Sequence, residues 1–144
     1  MSYTRGMKAE NFFSSLLNKC GIEHEFVDEW YDYLIKKGVD SYEKVEVKSC
    51  QISVKNNKKD SNTYTIGRFD FTSEDNREKQ FKYNIWIALI VRHREQFIMY
   101  GLVKARDLNK KRYLTLHAAR KMRPISFEDW LRIHIFKDTS KEEK

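Results

Sequence analysis

Hydrophobic residues recur at helical spacing near the start of the chain, over residues 7–19. The apolar positions there are Ala9, Phe12, Phe13, Leu16 and Leu17. Spacings of three and four residues place such side chains on one face of an α-helix. Gly21 follows, and glycine favours the left-handed conformation in which many helices end. The pattern therefore predicts an amphipathic helix that ends near Gly21.

Three segments with the pattern of β-strands follow this helix. Residues 22–27, 30–35 and 43–54 are rich in aromatic and β-branched side chains, which are enriched in strands. The segment 36–38 ends in glycine and joins the last two, so a turn is expected there. The first half of the fold is thus predicted to be a helix followed by a β-hairpin.

The second half of the chain predicts another hairpin and a closing helix. Residues 85–91 and 96–103 have the pattern of two strands that turn at 92–95. Ser126 and Asp129 resemble a capping box, which opens an amphipathic helix over residues 127–136. The intervening chain predicts a polar loop over 55–62, a strand over 63–71 and a polar connection over 73–80.

These elements predict one α/β (α+β) domain over residues 1–144, with mostly antiparallel strands between helices. A chain of this length is long enough to bury a single hydrophobic core. Its longest apolar run, residues 85–91, is too short to span a bilayer. The N-terminal sequence MSYTRGMKAENFF lacks the apolar core of a signal peptide. We therefore expect a cytoplasmic location and no membrane partner.

Cysteine and histidine form no pattern that predicts a metal site. Cys20 and Cys50 lie in no CxxC motif, and the four histidines are scattered singly along the chain. Structural zinc sites instead place cysteine and histidine at short, regular spacings. We predict that both cysteines are buried as small apolar residues.

Positive charge is concentrated in the C-terminal part of the chain, the basic region 104–137. Residues 104–123 carry eight Lys or Arg and a single acid, Asp107, and the net charge of the whole chain is +7. A local field of this sign attracts nucleic acid. The alternative is a solvated basic face that only maintains solubility.

Two carboxylates and an amine interrupt the apolar strands of the first hairpin. Glu46 and Lys48 are two residues apart and therefore leave the same face of their strand. Asp32, on the preceding strand, can approach Glu46 if the register allows it. Crowded carboxylates repel unless a cation neutralises them, and Mg²⁺ prefers such oxygen ligands. This grouping favours metal-assisted phosphodiester hydrolysis, whereas the alternative is a charged outer face of a surface strand.

The same residues resemble the PD-(D/E)XK nuclease superfamily, particularly its small stand-alone endonucleases. The matching segments are MKAENFF with Glu10, YDYLI with Asp32, and VEVKSCQ with Glu46, Lys48 and Gln51. The resemblance extends over residues 7–108 and is specific only over 31–51. It implies a restriction-endonuclease-like core with a central mixed β-sheet flanked by helices.

The resemblance also implies a role for each matched residue. Asp32 and Glu46 would bind Mg²⁺ together with the backbone carbonyl of Val47, and Mn²⁺ would be able to substitute. Lys48 would be the catalytic lysine, whereas Glu10 and Gln51 would be auxiliary. Tyr31 stands where the family name has proline, a common substitution. Asp40 is a rival for Asp32, since it also precedes Glu46, but it lies so close to the turn that we prefer Asp32.

The predicted activity is a Mg²⁺-dependent DNA endonuclease, acting as a dimer on branched DNA such as a Holliday junction or, alternatively, on duplex DNA as homing and restriction enzymes do. A nuclease-like fold that binds nucleic acid without cleaving it is the alternative from another class. RNA cleavage is ranked lower, because no aromatic RNA-stacking motif is present. The residues predicted to contact DNA are Lys58, Lys59, Arg68, Arg92, Arg94, Lys110, Lys111, Arg112, Arg120, Lys121 and Arg123.

Overall fold

The structure is a computed structural model that describes residues 5–55, 64–71, 73–108 and 112–136. Its helices are α1 (Arg5–Lys19), α2 (Glu74–Tyr83), α3 (Leu116–Lys121) and α4 (Phe127–Trp130). Its strands are β1 (His24–Phe26), β2 (Tyr33–Lys36), β3 (Tyr42–Gln51), β4 (Ser53–Lys55), β5 (Tyr64–Ile66), β6 (Arg68–Asp70), β7 (Trp86–His93), β8 (Gln96–Lys104) and β9 (Tyr113–Thr115). A 3₁₀ turn follows β8 at Ala105–Leu108, and α4 continues as a π-helical turn over Leu131–Ile135.

A five-stranded mixed sheet forms the centre of the described chain. Its strand order is β1-β2-β3-β7-β8. Strands β3 and β7 pair in parallel, from Val45 opposite Trp86 to Gln51 opposite Arg92, whereas the other neighbours are antiparallel. Two smaller ladders join β4 to β5 and β6 to β9. The predicted mixed sheet is thus confirmed.

Each face of the central sheet packs against its own hydrophobic cluster. The first cluster holds α1 and α4 against the sheet and includes Phe13 and Trp130. The second lies on the opposite face and includes Phe69 and Leu114, from the β6–β9 ladder. Because β7 is covered on both faces, it is buried from Trp86 to Val91 and reads as a continuous apolar run.

Several predicted elements are confirmed. Helix α1 ends as expected, with Gly21 at φ +68° in the left-handed region. Strands β7 and β8 form the second hairpin and turn at Arg94 and Glu95. Ser126 caps α4, because its Oγ accepts a hydrogen bond from the backbone N–H of Asp129 at 3.1 Å.

The prediction of a polar connection over residues 73–80 is wrong, because this segment forms most of α2. The Ser73 side chain caps its N-terminus, and Asn84 ends it in the left-handed conformation. Gln80 is the only residue of α2 that is buried, so the helix has no apolar stripe for sequence periodicity to detect. Its end signals, rather than its hydrophobic pattern, specify it.

Two strands were predicted too long. The segment 43–54 divides into β3 and β4, and the segment 63–71 divides into β5 and β6. Gly67 separates the latter pair, and a Cβ atom added there would collide with the backbone carbonyl of Gln51. The two stretches of backbone therefore cross too closely for a side chain.

The prediction that both cysteines are buried holds only for Cys50, whereas Cys20 is exposed. Cys20 follows the last residue of α1, beyond the helix face that packs on the sheet. Helix α1 ends at Lys19, so the helical spacing that buries Leu17 does not extend to Cys20.

Across the residues with described structure, no helix has the length and apolar character needed to cross a membrane.

Candidate active site

The candidate site lies where β2 separates from β3. These strands pair from Lys36 opposite Tyr42 to Tyr33 opposite Val45. Asp32 continues the ladder by one step, donating its backbone N–H to the carbonyl of Val45 at 3.0 Å. At the next step the Asp32 side chain replaces the backbone as the partner of β3, because its Oδ2 accepts a hydrogen bond from the backbone N–H of Val47 at 2.7 Å. The carboxylate thus occupies the position where the backbone of the next β2 residue would pair with β3.

Glu46 and Lys48 leave the same face of β3 beside this opening. The Lys48 Nζ lies 3.7 Å from Glu46 Oε2, and the two side chains are 26% and 12% exposed. Lys48 also lies over the ring of Phe71, 5.6 Å from its centroid. The predicted alternation of β3 is therefore observed, with Val45 and Val47 buried on the opposite face.

Helix α2 contributes a residue that the sequence analysis missed. Gln80 is 4% exposed and donates from Nε2 to Glu46 Oε2 at 3.0 Å and to the carbonyl of Trp30 at 2.8 Å. One amide thereby fixes the Glu46 carboxyl and the chain just before Asp32. Ser73 followed by Glu74 and Asp75 was the available sequence signal for this helix.

Glu10 reaches the site from α1 on the other side of the sheet. The Tyr33 hydroxyl donates to the Glu10 carbonyl at 2.9 Å and so joins α1 to β2. The Glu10 side chain lies close enough to Asp32 for the two carboxyl groups to interact electrostatically. The structure therefore brings Glu10, Asp32, Glu46 and Lys48 together at one opening of the sheet.

The two glutamates hold their protons unusually strongly. Burial, the negative charge of Asp32 and a hydrogen bond with Asp32 raise the pKa of Glu10 to about 7. Burial, a hydrogen bond with Asp32 and its charge raise the pKa of Glu46 to about 8, although Lys48 and Gln80 oppose this shift. Near neutral pH, protons thus relieve the repulsion among these acids when no other cation is bound.

This donor set fits Mg²⁺ better than a metal that needs a full protein cage. Among the described residues, no three His, Cys, Asp or Glu side chains form a group that could hold a metal. Mg²⁺ is commonly held by one or two carboxylates, with waters and substrate phosphates completing its shell. The N–H and C=O of a strand residue leave on the same side, so the Val47 carbonyl also faces the opening where its N–H meets Asp32.

Asp40 and Gln51 lie away from this opening. Asp40 is exposed in the turn between β2 and β3, at φ +57°, so it is Asp32 that adjoins Glu46. Gln51 stands an odd number of positions after Lys48, so its side chain leaves the opposite face of β3. It lines a separate cleft of about 310 Å³ with Arg68 and Arg92, and its auxiliary role stays a prediction.

The predicted DNA-contacting residues that the structure describes lie on several different elements of the fold. Arg68 pairs with Asp70 at 3.2 Å and lies 4.7 Å over the Tyr113 ring, and Arg112 pairs with Glu74 at 3.3 Å. Arg92 is partly buried at the end of β7. Four further members of the predicted set are exposed: Arg94, Arg120, Lys121 and Arg123. Four predicted residues lie outside the described residues: Lys58, Lys59, Lys110 and Lys111.

Part of the basic region is used inside the fold. Lys104 lies over the Trp86 ring at 4.3 Å and donates to the Asn84 carbonyl at 3.2 Å, and burial lowers its pKa. Arg106 donates to the carbonyls of Phe81 and Lys82 at the end of α2. These two cations stabilise α2. Fewer basic residues are therefore available on the surface to bind a partner than the sequence of the basic region suggests.

Comparison of the chain with protein-family models, curated proteins and solved structures finds no significant match.

Proposed function

We propose that the protein is a Mg²⁺-dependent DNA endonuclease with a restriction-endonuclease-like core. The observation that carries the proposal is the meeting of Asp32 and Glu46 beside Lys48 at the opening between β2 and β3. A surface strand with a charged outer face would leave these groups in water. Here Asp32 and Gln80 are buried, and together they fix Val47 and Glu46.

The proposed roles follow from the contacts of each residue. Asp32, Glu46 and the Val47 carbonyl would hold Mg²⁺, which when bound polarises the phosphate and makes a water more acidic. Lys48 orients the attacking water and stabilises the negative charge that develops on the phosphate. Gln80 keeps the Glu46 carboxyl in place, and Glu10 acts on the same site through its contact with Asp32.

Nucleic acid is the proposed substrate because the chain has a net charge of +7 and carries exposed cations at Arg94, Arg120, Lys121 and Arg123. A nuclease needs such charges to bind the phosphates that flank the scissile bond. Within this proposal, the substrate is branched DNA cut by a dimer, ahead of linear duplex DNA.

The test is cleavage of labelled four-way junction, flap, nicked and linear DNA by the purified protein with MgCl₂ or with EDTA. We expect cleavage only with the divalent metal. Lys48→Met and Glu46→Gln are expected to lower the rate by about 10²-fold or more, as removal of a group that stabilises transition-state charge does. Lys36→Met is the matched control, because Lys36 lies on β2 and pairs with Glu23.

Cleavage that persists in both site variants would overturn the proposal. DNA binding without metal-dependent cleavage by the unaltered protein would also reject it and would leave a nuclease-like fold that only binds nucleic acid.

A further inference from the structure

An aromatic cage surrounds the ammonium group of Lys44. The cage consists of Trp30, Tyr31 and Tyr83, whose ring centroids lie 5.9, 5.6 and 6.0 Å from the Lys44 Nζ. The rings also support one another, because Trp30 contacts Tyr31 at 4.7 Å and stacks on Tyr83 at 5.4 Å. Cations at such distances are attracted by the negative faces of aromatic rings.

The cage holds Lys44 without using its hydrogen-bond donors. An ammonium group has three N–H donors, and ring faces attract its charge rather than accept conventional hydrogen bonds. Within the described part of the chain, the ion pairs of the other lysines engage Glu23, Glu43 and Glu46, and none includes Lys44. A charge that is fixed in position and has donors to spare is suited to an oxyanion that arrives with a ligand.

The cage is connected to the candidate active site through α2. Gln80 and Tyr83 are three residues apart and therefore lie on one side of this helix. Gln80 binds the carbonyl of Trp30 and the Glu46 carboxyl, while Tyr83 stacks on the Trp30 ring. Lys44, Glu46 and Lys48 follow one another at alternate positions of β3 and so leave the same face, spaced about 7 Å apart.

We propose that Lys44 is a phosphate-binding residue that contacts the DNA backbone beside the scissile phosphate. The aromatic cage orients its ammonium group, so binding requires little loss of side-chain freedom. Lys44 would position the strand while Lys48 acts at the reacting phosphate. The proposal rests on DNA being the partner of the proposed nuclease, but it does not require that cleavage occurs.

The test is DNA binding measured by fluorescence anisotropy over a range of KCl concentrations, with CaCl₂ and with EDTA. Each lost phosphate contact lowers the slope of log K against log salt by about 0.9 for duplex DNA. We expect that loss for Lys44→Met, which keeps an apolar chain against the rings, and an unchanged slope for Lys44→Arg. Lys36→Met removes the same charge at the far end of β2 and should leave the slope unchanged.

A lysine that only stabilises the fold would give a different result. Lys44→Met would then lower the melting temperature and leave the salt slope at the unaltered value, and this outcome would overturn the proposal. Equal losses in Lys44→Met and Lys36→Met would also overturn it, because they would report net charge alone. If Lys44→Met does not fold, Lys44→Gln is measured against Lys44→Arg in the same way.

The two proposals fail separately. Protein that binds DNA with the expected Lys44 effect but does not cleave it rejects the nuclease activity and supports the Lys44 contact. Protein that cleaves DNA with no Lys44 effect on the salt slope rejects the contact and leaves the activity standing. Absence of any DNA binding by the unaltered protein rejects both.

Discussion

Asp32 is the residue that couples the acids of the candidate site. Burial raises the pKa of both Glu10 and Glu46 most, and the negative charge of Asp32 and hydrogen bonding with Asp32 raise it further. Its own position is fixed by two bonds to β3, one from its backbone to Val45 and one from Val47 to its carboxylate. The Asp32 side chain therefore links the ionisation of Glu10 on α1 to the ionisation of Glu46 on β3.

The raised pKa values predict that the metal-free protein becomes less stable as pH rises. Glu10 and Glu46 titrate near 7 and 8 in the folded state, against an ordinary value of 4.5. Between about pH 4.5 and pH 8 the folded state thus binds more protons than the unfolded state, and the free energy of unfolding falls with pH. Urea denaturation in EDTA at pH 5 to pH 8 measures this slope.

Two comparisons identify the groups responsible for the slope. Glu46→Gln should flatten it, whereas Glu128→Gln, a change at an exposed position of α4, should leave it unchanged. MgCl₂ should raise stability at pH 8 more than at pH 5.5, because the metal competes with protons for the same oxygens. Equal slopes for all three proteins would show that the acids are not crowded in solution.

At this scale the sequence predicted the acids and the lysine but not their partner from α2. Strand alternation was enough to place Glu46 and Lys48 on one face, and the hairpin brought Asp32 beside them. Gln80 lies 34 positions away from Glu46, and no local pattern connects the two. That contact depends on how α2 packs. Hydrophobic periodicity does not predict this packing, because the helix has no apolar stripe.

At the scale of elements, α2 supports the candidate site. Its end is bound by Arg106 and by Lys104 through Asn84, and its inner side presents Gln80 to Glu46 and Tyr83 to Trp30. A short polar helix gains little stability from its own sequence. Its tertiary contacts therefore decide whether Glu46 is held in place.

Replacement of Gln80 by leucine is expected to impair cleavage in a pH-dependent way. The change removes a hydrogen bond to a carboxyl group, worth about 1.5–3 kcal/mol when the acceptor is charged, so the rate should fall about tenfold or more. Gln80 also opposes the raised pKa of Glu46, so its loss should move the rise of the pH–rate profile to higher pH. The defect should then be smaller at pH 9 than at pH 7.

Gln96→Leu is the control for this substitution, because Gln96 is exposed at the start of β8. A defect of equal size at every pH would mean that Gln80 contributes packing alone and does not tune Glu46.

The strands show why sequence periodicity predicts that a strand is present better than it predicts where the strand begins and ends. The apolar runs of β7 and β8 were predicted almost to their ends, because both strands have continuous neighbours in the sheet. Strand β3 stops at Gln51, where the backbone of Gly67 crosses it. That crossing is a long-range contact, and the residues before it give no local sign of it.

At the scale of the whole molecule, positive charge is divided between structure and surface. Lys104 and Arg106 stabilise α2, whereas the last turn of α3 and the residues after it carry Arg120, Lys121 and Arg123 in exposed positions. The count of basic residues in the sequence could not separate these uses. Within the described part of the basic region, this exposed set is available to neutralise phosphates.

Replacing that exposed set should weaken DNA binding and its salt dependence without affecting the metal. The combined change Arg120→Gln, Lys121→Gln and Arg123→Gln is expected to lower the slope of log K against log salt by about 2–3, since each contact contributes about 0.9. The stabilisation by MgCl₂ should stay at the unaltered value. Anisotropy titrations and thermal melting measure the two effects.

The control removes equal charge elsewhere on the surface, at Lys19, Lys36 and Arg132. An equal loss of slope in this control would assign the effect to net charge and would contradict a DNA-contacting surface around α3.

The two cysteines differ enough to give the molecule one natural attachment point for a probe. Cys50 is buried and burial raises the pKa of its thiol to about 12, whereas Cys20 is exposed at the end of α1. A maleimide dye added near pH 7 should therefore modify Cys20 alone, because the thiolate is the reactive form. Energy transfer from that dye to a fluorophore on DNA would report the orientation of the docked strand without any engineered change to the sequence.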